Sequence, residues 1–185
     1  MRSRTVVGRW AALALTGVVA TGVVSGCQTL EDVAGGGCEG TVSQVDALTE
    51  YSVLDSRPRG AIVPEGFERV DAGCWADSGE VHLYADRTYV HPGPESEVIE
   101  HYRTAARREG WLGADETDTP GGGTSSLCFT RPSGDGPTTL DIYFLTDEIL
   151  REEDTEPGPD FDTGVGYRVA ISSSVDWTTI PGCGV

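Results

Sequence analysis

The sequence predicts an α+β domain, an antiparallel sheet of about five strands covered by one main amphipathic helix, with a short helix ahead of them. Three observations predict it. Val81 to Val90 alternates, with Val81, Leu83, Ala85 and Tyr89 on one side and His82, Tyr84, Asp86 and Thr88 on the other. Val98, Ile99, Tyr102, Ala105 and Ala106 form one apolar stripe at helical spacing. The candidate elements then run strand, strand, helix, strand, strand, strand, with no internal repeat.

The chain begins outside that domain. Arg2, Arg4 and Arg9 precede an uncharged run from Trp10 to Val24, the charged and apolar regions of an export signal. The run of 15 residues is short for a membrane span, which needs ~20, and two Gly and two Thr weaken it further. It ends in Val24-Ser25-Gly26-Cys27, which resembles the lipobox of bacterial lipoprotein signal peptides. That resemblance implies cleavage before Cys27, a diacylglyceryl thioether on its sulfur, and an anchor at the extracytoplasmic face of the cell membrane. Two acyl chains hold a protein stably without a spanning helix. The alternative is an ordinary secretory signal in which Cys27 is a plain thiol. Cysteine parity favours the lipid: of Cys27, Cys38, Cys74, Cys128 and Cys183, lipidation removes one and leaves the even number that disulfides in an exported protein require.

No arginine twin opens the signal, so export proceeds unfolded through the general secretory route, which argues against a prosthetic group. Residues 27–37 contain Gly35, Gly36 and Gly37 and read as a lipidated flexible tether, followed by a single globular domain over 38–185.

Within the domain, Val42, Val45, Leu48 and Tyr51 recur at three-residue spacing and predict a short helix over Thr41 to Leu54, with Thr41 or Ser43 as its cap. After Pro58, Gly60, Pro64 and Gly66, a strand is expected from Phe67 to Trp75, a turn at Asp77-Ser78-Gly79, and the alternating strand as its hairpin partner. In the main helix Pro94 suits the first helical position, Glu95 and Glu97 complement the dipole, Gly110 ends it, and Trp111 folds back onto the stripe. The ending from Tyr102 to Trp111 resembles small secreted and lipoprotein domains of actinobacteria, many without assigned function. Absence of Lys among the 13 basic residues likewise suggests a GC-rich genome. Strands are expected over Ser125 to Arg131, Thr138 to Thr146 and Tyr167 to Asp176, with Asp147 to Gly166 as a long acidic insertion.

Four paired cysteines allow three connectivities. Cys74 with Cys128, as a link inside the sheet, and Cys38 with Cys183, pinning the two ends, is the favoured one. Each closed loop contributes at most roughly 4 to 5 kcal/mol.

Charge narrows the partners. The formal net charge is -17, and removing Arg2, Arg4 and Arg9 with the signal leaves 10 basic against 30 acidic residues. A surface so acidic repels nucleic acid, and the one dense basic group, Arg103, Arg107 and Arg108, sits among glutamates. The expected contacts are the membrane through the lipid on Cys27 and an envelope protein or small ligand.

No catalytic motif is present, and without lysine neither a Ser-x-x-Lys nucleophile nor a Schiff base can form. No cofactor and no metal centre is expected. His82, His91 and His101 match no metal spacing. Asp160, Asp162 and Gly164 open like a calcium loop that no later acid completes, and Glu152, Glu153, Asp154 and Glu156 read as a solvated charge run. Trp75, Trp111 and Trp177 with Tyr84, Tyr89 and Tyr143 could line a groove, though core packing is the simpler reading. The resulting expectation is a non-enzymatic, membrane-anchored binding or envelope-associated domain. A hydrolase with dispersed carboxylates, or a purely structural surface protein, is the alternative.

Overall fold

A computed structural model describes residues 37–77, 80–113, 126–133, 136–175 and 183. Residues 1–36, which hold the expected signal, Cys27 and most of the expected tether, lie outside the described residues, as do Ser78, Gly79, Gly121 to Gly123 and Trp177.

The chain forms α1 (Val42–Thr49), a 3-10 turn (Ser52–Asp55), β1 (Asp71–Asp77), β2 (Glu80–His91), α2 (Glu95–Arg108), β3 (Leu112–Gly113), β4 (Ser126–Ser133), β5 (Gly136–Phe144), α3 (Asp147–Glu152), a second 3-10 turn (Pro159–Thr163) and β6 (Val165–Ser174). The class is α+β. The sheet has six strands, all antiparallel, in the order β1-β2-β6-β5-β4-β3. The extra strand is β3, which pairs Leu112 with Thr130 and Gly113 with Phe129. Two residues carry no period, so the strand was invisible in the sequence. No helix among the described residues is long and apolar enough to cross a membrane.

Register assigns the two faces. Ala85, Ile171, Leu140 and Phe129 face one another across β2, β6, β5 and β4, as do Tyr89, Tyr167 and Phe144 across the first three. All seven are buried in one cluster with Val98, Tyr102 and Ala106 of α2. The Tyr102 ring meets the Tyr167 ring edge-on at 5.9 Å, so α2 lies against this face. Of the expected stripe, Val98, Tyr102, Ala105 and Ala106 are buried and Ile99 is partly so. Pro94, however, is the N-cap, with extended ψ of 159°, and not the first helical residue. Gly110 ends the helix at φ 83°, and the Trp111 N–H returns to the Ala106 carbonyl at 2.9 Å.

The N-terminal helix is shorter than expected. Tyr51 is extended, at φ -66° and ψ 117°, which breaks the run into α1 and the 3-10 turn. Val53 and Leu54 enter the core from that turn, while Val42 stays 71% exposed. Thr41 caps by position only, its hydroxyl donating to the Cys38 carbonyl at 2.8 Å. Tyr89 donates to the Leu54 carbonyl at 2.6 Å and Tyr102 to that of Ser56, which fastens this segment to the core. Phe67 is not in β1, which starts four residues later, but meets Phe161 edge-on at 5.7 Å.

The disulfides are Cys38–Cys74 and Cys128–Cys183, correcting the favoured pairing. Cys74 sits on β1 and Cys128 on β4, four strand steps apart in the sheet. At about 4.8 Å per step that is roughly 19 Å, far beyond the roughly 7 Å that a disulfide can bridge. Register also puts them on opposite faces: Cys74 pairs with Leu83 of the core side and Cys128 with Asp141 of the other.

Candidate functional site

The second sheet face is polar. Rows across it read Asp71, Asp86, Ala170, Asp141, Cys128; Gly73, Tyr84, Ser172, Thr139, Thr130; and Thr88, Arg168, Tyr143. An open cleft of about 530 Å³ occupies the β1, β2 and β6 side of this face. Trp75, Tyr84, Asp71, Asp86 and Arg168 line it, with Glu153 arriving from the insertion.

Asp147 to Gly166 is expected as an acidic loop, and Glu153 as part of a solvated charge run. Both readings are corrected. Thr146 accepts the Ile149 N–H at 3.2 Å and starts α3, whose Leu150 is buried. The Asp154 N–H then meets the Arg151 carbonyl at 3.2 Å and the Thr155 N–H that of Leu150 at 2.8 Å, the two bonds of a Schellman ending. Asp154 holds the left-handed position, at φ 52°, where glycine is usual. That substitution hid the helix end from sequence inspection. Its consequence is positional, because Glu153, the C-cap residue, faces Arg168.

Arg168 is the organising charge. Its Nη1 and Nη2 donate to the two Glu153 carboxylate oxygens at 2.8 and 2.7 Å. Nη1 also donates to the Tyr143 hydroxyl at 3.0 Å and Nε to Thr88 at 3.3 Å, while Asp86 lies 3.6 Å from Nε. Every guanidinium nitrogen is therefore hydrogen-bonded. Burial alone would lower its pKa, but the Glu153 hydrogen bonds and the neighbouring Tyr143, Asp86 and Glu153 outweigh it and raise the pKa above the ordinary arginine value.

Two aspartates of the first row are perturbed. Burial pushes Asp86 up to about 6; Arg168 opposes the rise, and the charges of Asp71 and Glu153 add to it. Burial likewise pushes Asp141 up to about 6, against a Thr139 hydrogen bond that lowers it. Asp141 does not line the cleft; its row neighbour Cys128 carries the bond to Cys183. A carboxyl whose folded pKa exceeds its ordinary value near 3.8 stabilises the fold fully below that value. This contribution is lost as pH rises through about 6. Asp141→Asn should therefore stabilise the domain at pH 8, by on the order of 2 kcal/mol, and change little near pH 4. Urea unfolding at both pH values measures the difference, and equal effects at the two would refute the assignment.

Aromatic residues divide between core and cleft. Tyr89 and Trp111 are core, at 1% and 2% exposed. Trp75 is 49% exposed and stacks on its register partner His82 at 4.1 Å. Tyr84 leans over Gly73, where an added Cβ would sit 2.9 Å from the Tyr84 hydroxyl and would push the ring aside. Burial first, then Asp71 and Asp86, raise the Tyr84 pKa, which keeps it protonated as a donor at neutral pH.

The remaining candidates have local roles. His91 is buried with Nε2 3.0 Å from Glu97, His82 lies 3.4 Å from Glu80, and His101 Nε2 is 2.9 Å from the Ser56 hydroxyl. Burial, then Arg108 and His91, lower the His101 pKa. Arg108 lines a second shallow groove with Glu97, Glu100 and His101; Arg107 shares its helix turn, and Arg103 lies one turn earlier. Asp160 accepts the Glu65 N–H at 2.9 Å, and Asp162 lies in the same 3-10 turn, which ends before Gly164. Among the described residues, no group of three or more His, Cys, Asp or Glu could hold a metal.

Sequence reasoning missed Arg168, Asp86 and Asp141 as a set. The signal was present in the alternation: Asp141 interrupts Leu140-x-Ile142, and Arg168 interrupts Tyr167-x-Val169, at the positions pointing away from the core. Comparisons with protein-family models, with curated proteins and with solved structures return no match for the chain.

Proposed function

We propose that the chain is a lipoprotein, anchored through Cys27 at the extracytoplasmic face of the cell membrane, whose domain binds a ligand in the cleft on the polar sheet face. Support for the address comes from the bonds Cys38–Cys74 and Cys128–Cys183, which use four of the five cysteines and leave Cys27 as the odd one. Stable disulfides belong to exported proteins. The observation that carries the binding role is the half-exposed Trp75 at an open cleft whose floor of Asp71, Tyr84, Asp86 and Arg168 is set by strand register.

A hydrolytic pair is less well supported, because both oxygens of Glu153 are taken by Arg168 and Asp141 stands outside the cleft. Shallow clefts with an exposed aromatic serve binding better than chemistry that must exclude water. The finer arrangement belongs to the same proposal: α2 is the main cover of the apolar face, leaving the opposite face for the ligand.

Cells fed radiolabelled palmitate test the anchor. Label should travel with the chain into the membrane fraction and disappear in Cys27→Ala; an unlabelled, soluble wild-type chain would overturn it. For the cleft, solubilised full-length chain should retain an envelope component that Trp75→Ala releases, and identical retention by both would overturn that half.

A further inference from the structure

We infer that the cleft takes a small organic cation, an ammonium or guanidinium with an apolar body, its charge at the opposed carboxylates of Asp71 and Asp86 and its body running past Tyr84 toward Trp75. The inference rests on the reading of the cleft as a binding site and names its ligand class. Three features of the cleft lead to it.

The first is an electrostatic imbalance set by register. Asp71 and Asp86 are direct partners on β1 and β2, and like charges placed opposite each other destabilise a sheet. Arg168 is the nearest cation to Asp86, at 3.6 Å, yet its hydrogen bonds go to Glu153, Tyr143 and Thr88. Arg69 also lines the cleft, which sets three carboxylates, Asp71, Asp86 and Glu153, against two arginines. A bound cation relieves the opposed pair directly. A neutral sugar could use the ring and the acceptors but would leave that repulsion in place, and an anion would find Arg168 already engaged.

The second feature is aromatic. Trp75, stacked on His82, is 49% exposed at the other end of the same cleft, two register rows along β1 from Asp71, where it offers an apolar surface to the body of such a ligand. Tyr84, braced over Gly73, brings a second ring and a hydroxyl to the same floor. The third is the field of the whole chain, at -17 formal charge, which concentrates cations around the domain.

Calorimetric titration of the full-length chain at pH 7.5 tests this with four probes: arginine amide, choline, maltose and sulfate. Arginine amide or choline should bind with a dissociation constant of about 1 mM or tighter. Binding by arginine amide alone identifies a guanidinium, such as a peptide side chain, held by hydrogen bonds; binding by choline as well shows that charge without a donor suffices. Trp75→Ala, Asp86→Asn and the exposed Asp71→Asn should each weaken it by about tenfold. Asp71→Asn guards against loss of fold, since the side chain is on the surface. The groups facing Asp86 are Asp71, Tyr84, Arg168 and Glu153, and burial pushes Asp86 up to about 6. Affinity should therefore fall as pH drops through about 6. Trp75-dependent binding of maltose or sulfate with silent cations would overturn the cation class while leaving the cleft as a site. Silence of both cations in wild type also overturns it, and the fate of the cleft is then read from the Trp75→Ala retention experiment.

Discussion

Reduction of both disulfides is expected to unfold the domain at ambient temperature. Cys38 and Cys74 are 36 residues apart and Cys128 and Cys183 are 55 apart, and the two loops do not overlap. Loop-closure entropy gives about 4 kcal/mol for each, as an upper bound that native strain reduces. Together they rival the 5–15 kcal/mol of roughly the whole stability of an ordinary domain. The first bond ties the residues ahead of α1 to the edge strand β1, and the second ties Cys183 to β4. Circular dichroism during thermal unfolding, with and without reductant, reads the result. An unchanged midpoint after thiol titration has shown both bonds open would refute it.

Tyr102→Ala should destabilise by about 3–5 kcal/mol, the range for emptying a large aromatic site in a core that cannot collapse around the hole. Tyr102 is fully buried between α2 and the sheet, edge-on to Tyr167, and its hydroxyl holds the Ser56 carbonyl. Tyr102→Phe separates the two parts. It keeps the ring and loses the hydroxyl, so it should cost about 1–2 kcal/mol, from a buried carbonyl left without its donor. Urea denaturation of both variants measures the ratio. Equal losses would mean that the hydrogen bond, and not ring packing, carries the site.

The polar face and the core face are two readings of one alternation, and they were unequally legible. Leu83, Ala85, Tyr89 and the α2 stripe follow from period alone, because burial against a neighbouring element demands it. His82, Tyr84, Asp86 and Thr88 were on the opposite side by the same rule, but their meaning depended on which strands lie next to β2. That neighbour is β6, which brings Arg168 beside Asp86 and Thr88. β5 then adds Tyr143 and Asp141 from the far side. Sequential adjacency would have paired β2 with the strand after the helix. Sheet order is a long-range property, and no local pattern encodes it.

The acidic insertion carries the same lesson at shorter range. Thr146 and Leu150 were readable as a cap and an inward residue, yet Asp154 occupies a backbone position that usually announces itself as glycine. Asp tolerates that conformation with a modest penalty, so the helix end left no mark in the composition.

By itself, the sequence determined the arginines and uncharged run ahead of Cys27, the acidic balance, the amphipathic helix and the alternation that sorts β2 into two faces, because each depends on residue types or on residues close along the chain. Tertiary structure alone decided the cysteine pairing, the sixth strand, and the convergence of Asp71, Asp86, Arg168 and Glu153 on one cleft. These last depend on which distant segments become neighbours. That choice is made by burial of the whole apolar surface at once, so it cannot be read from spacing within any one segment.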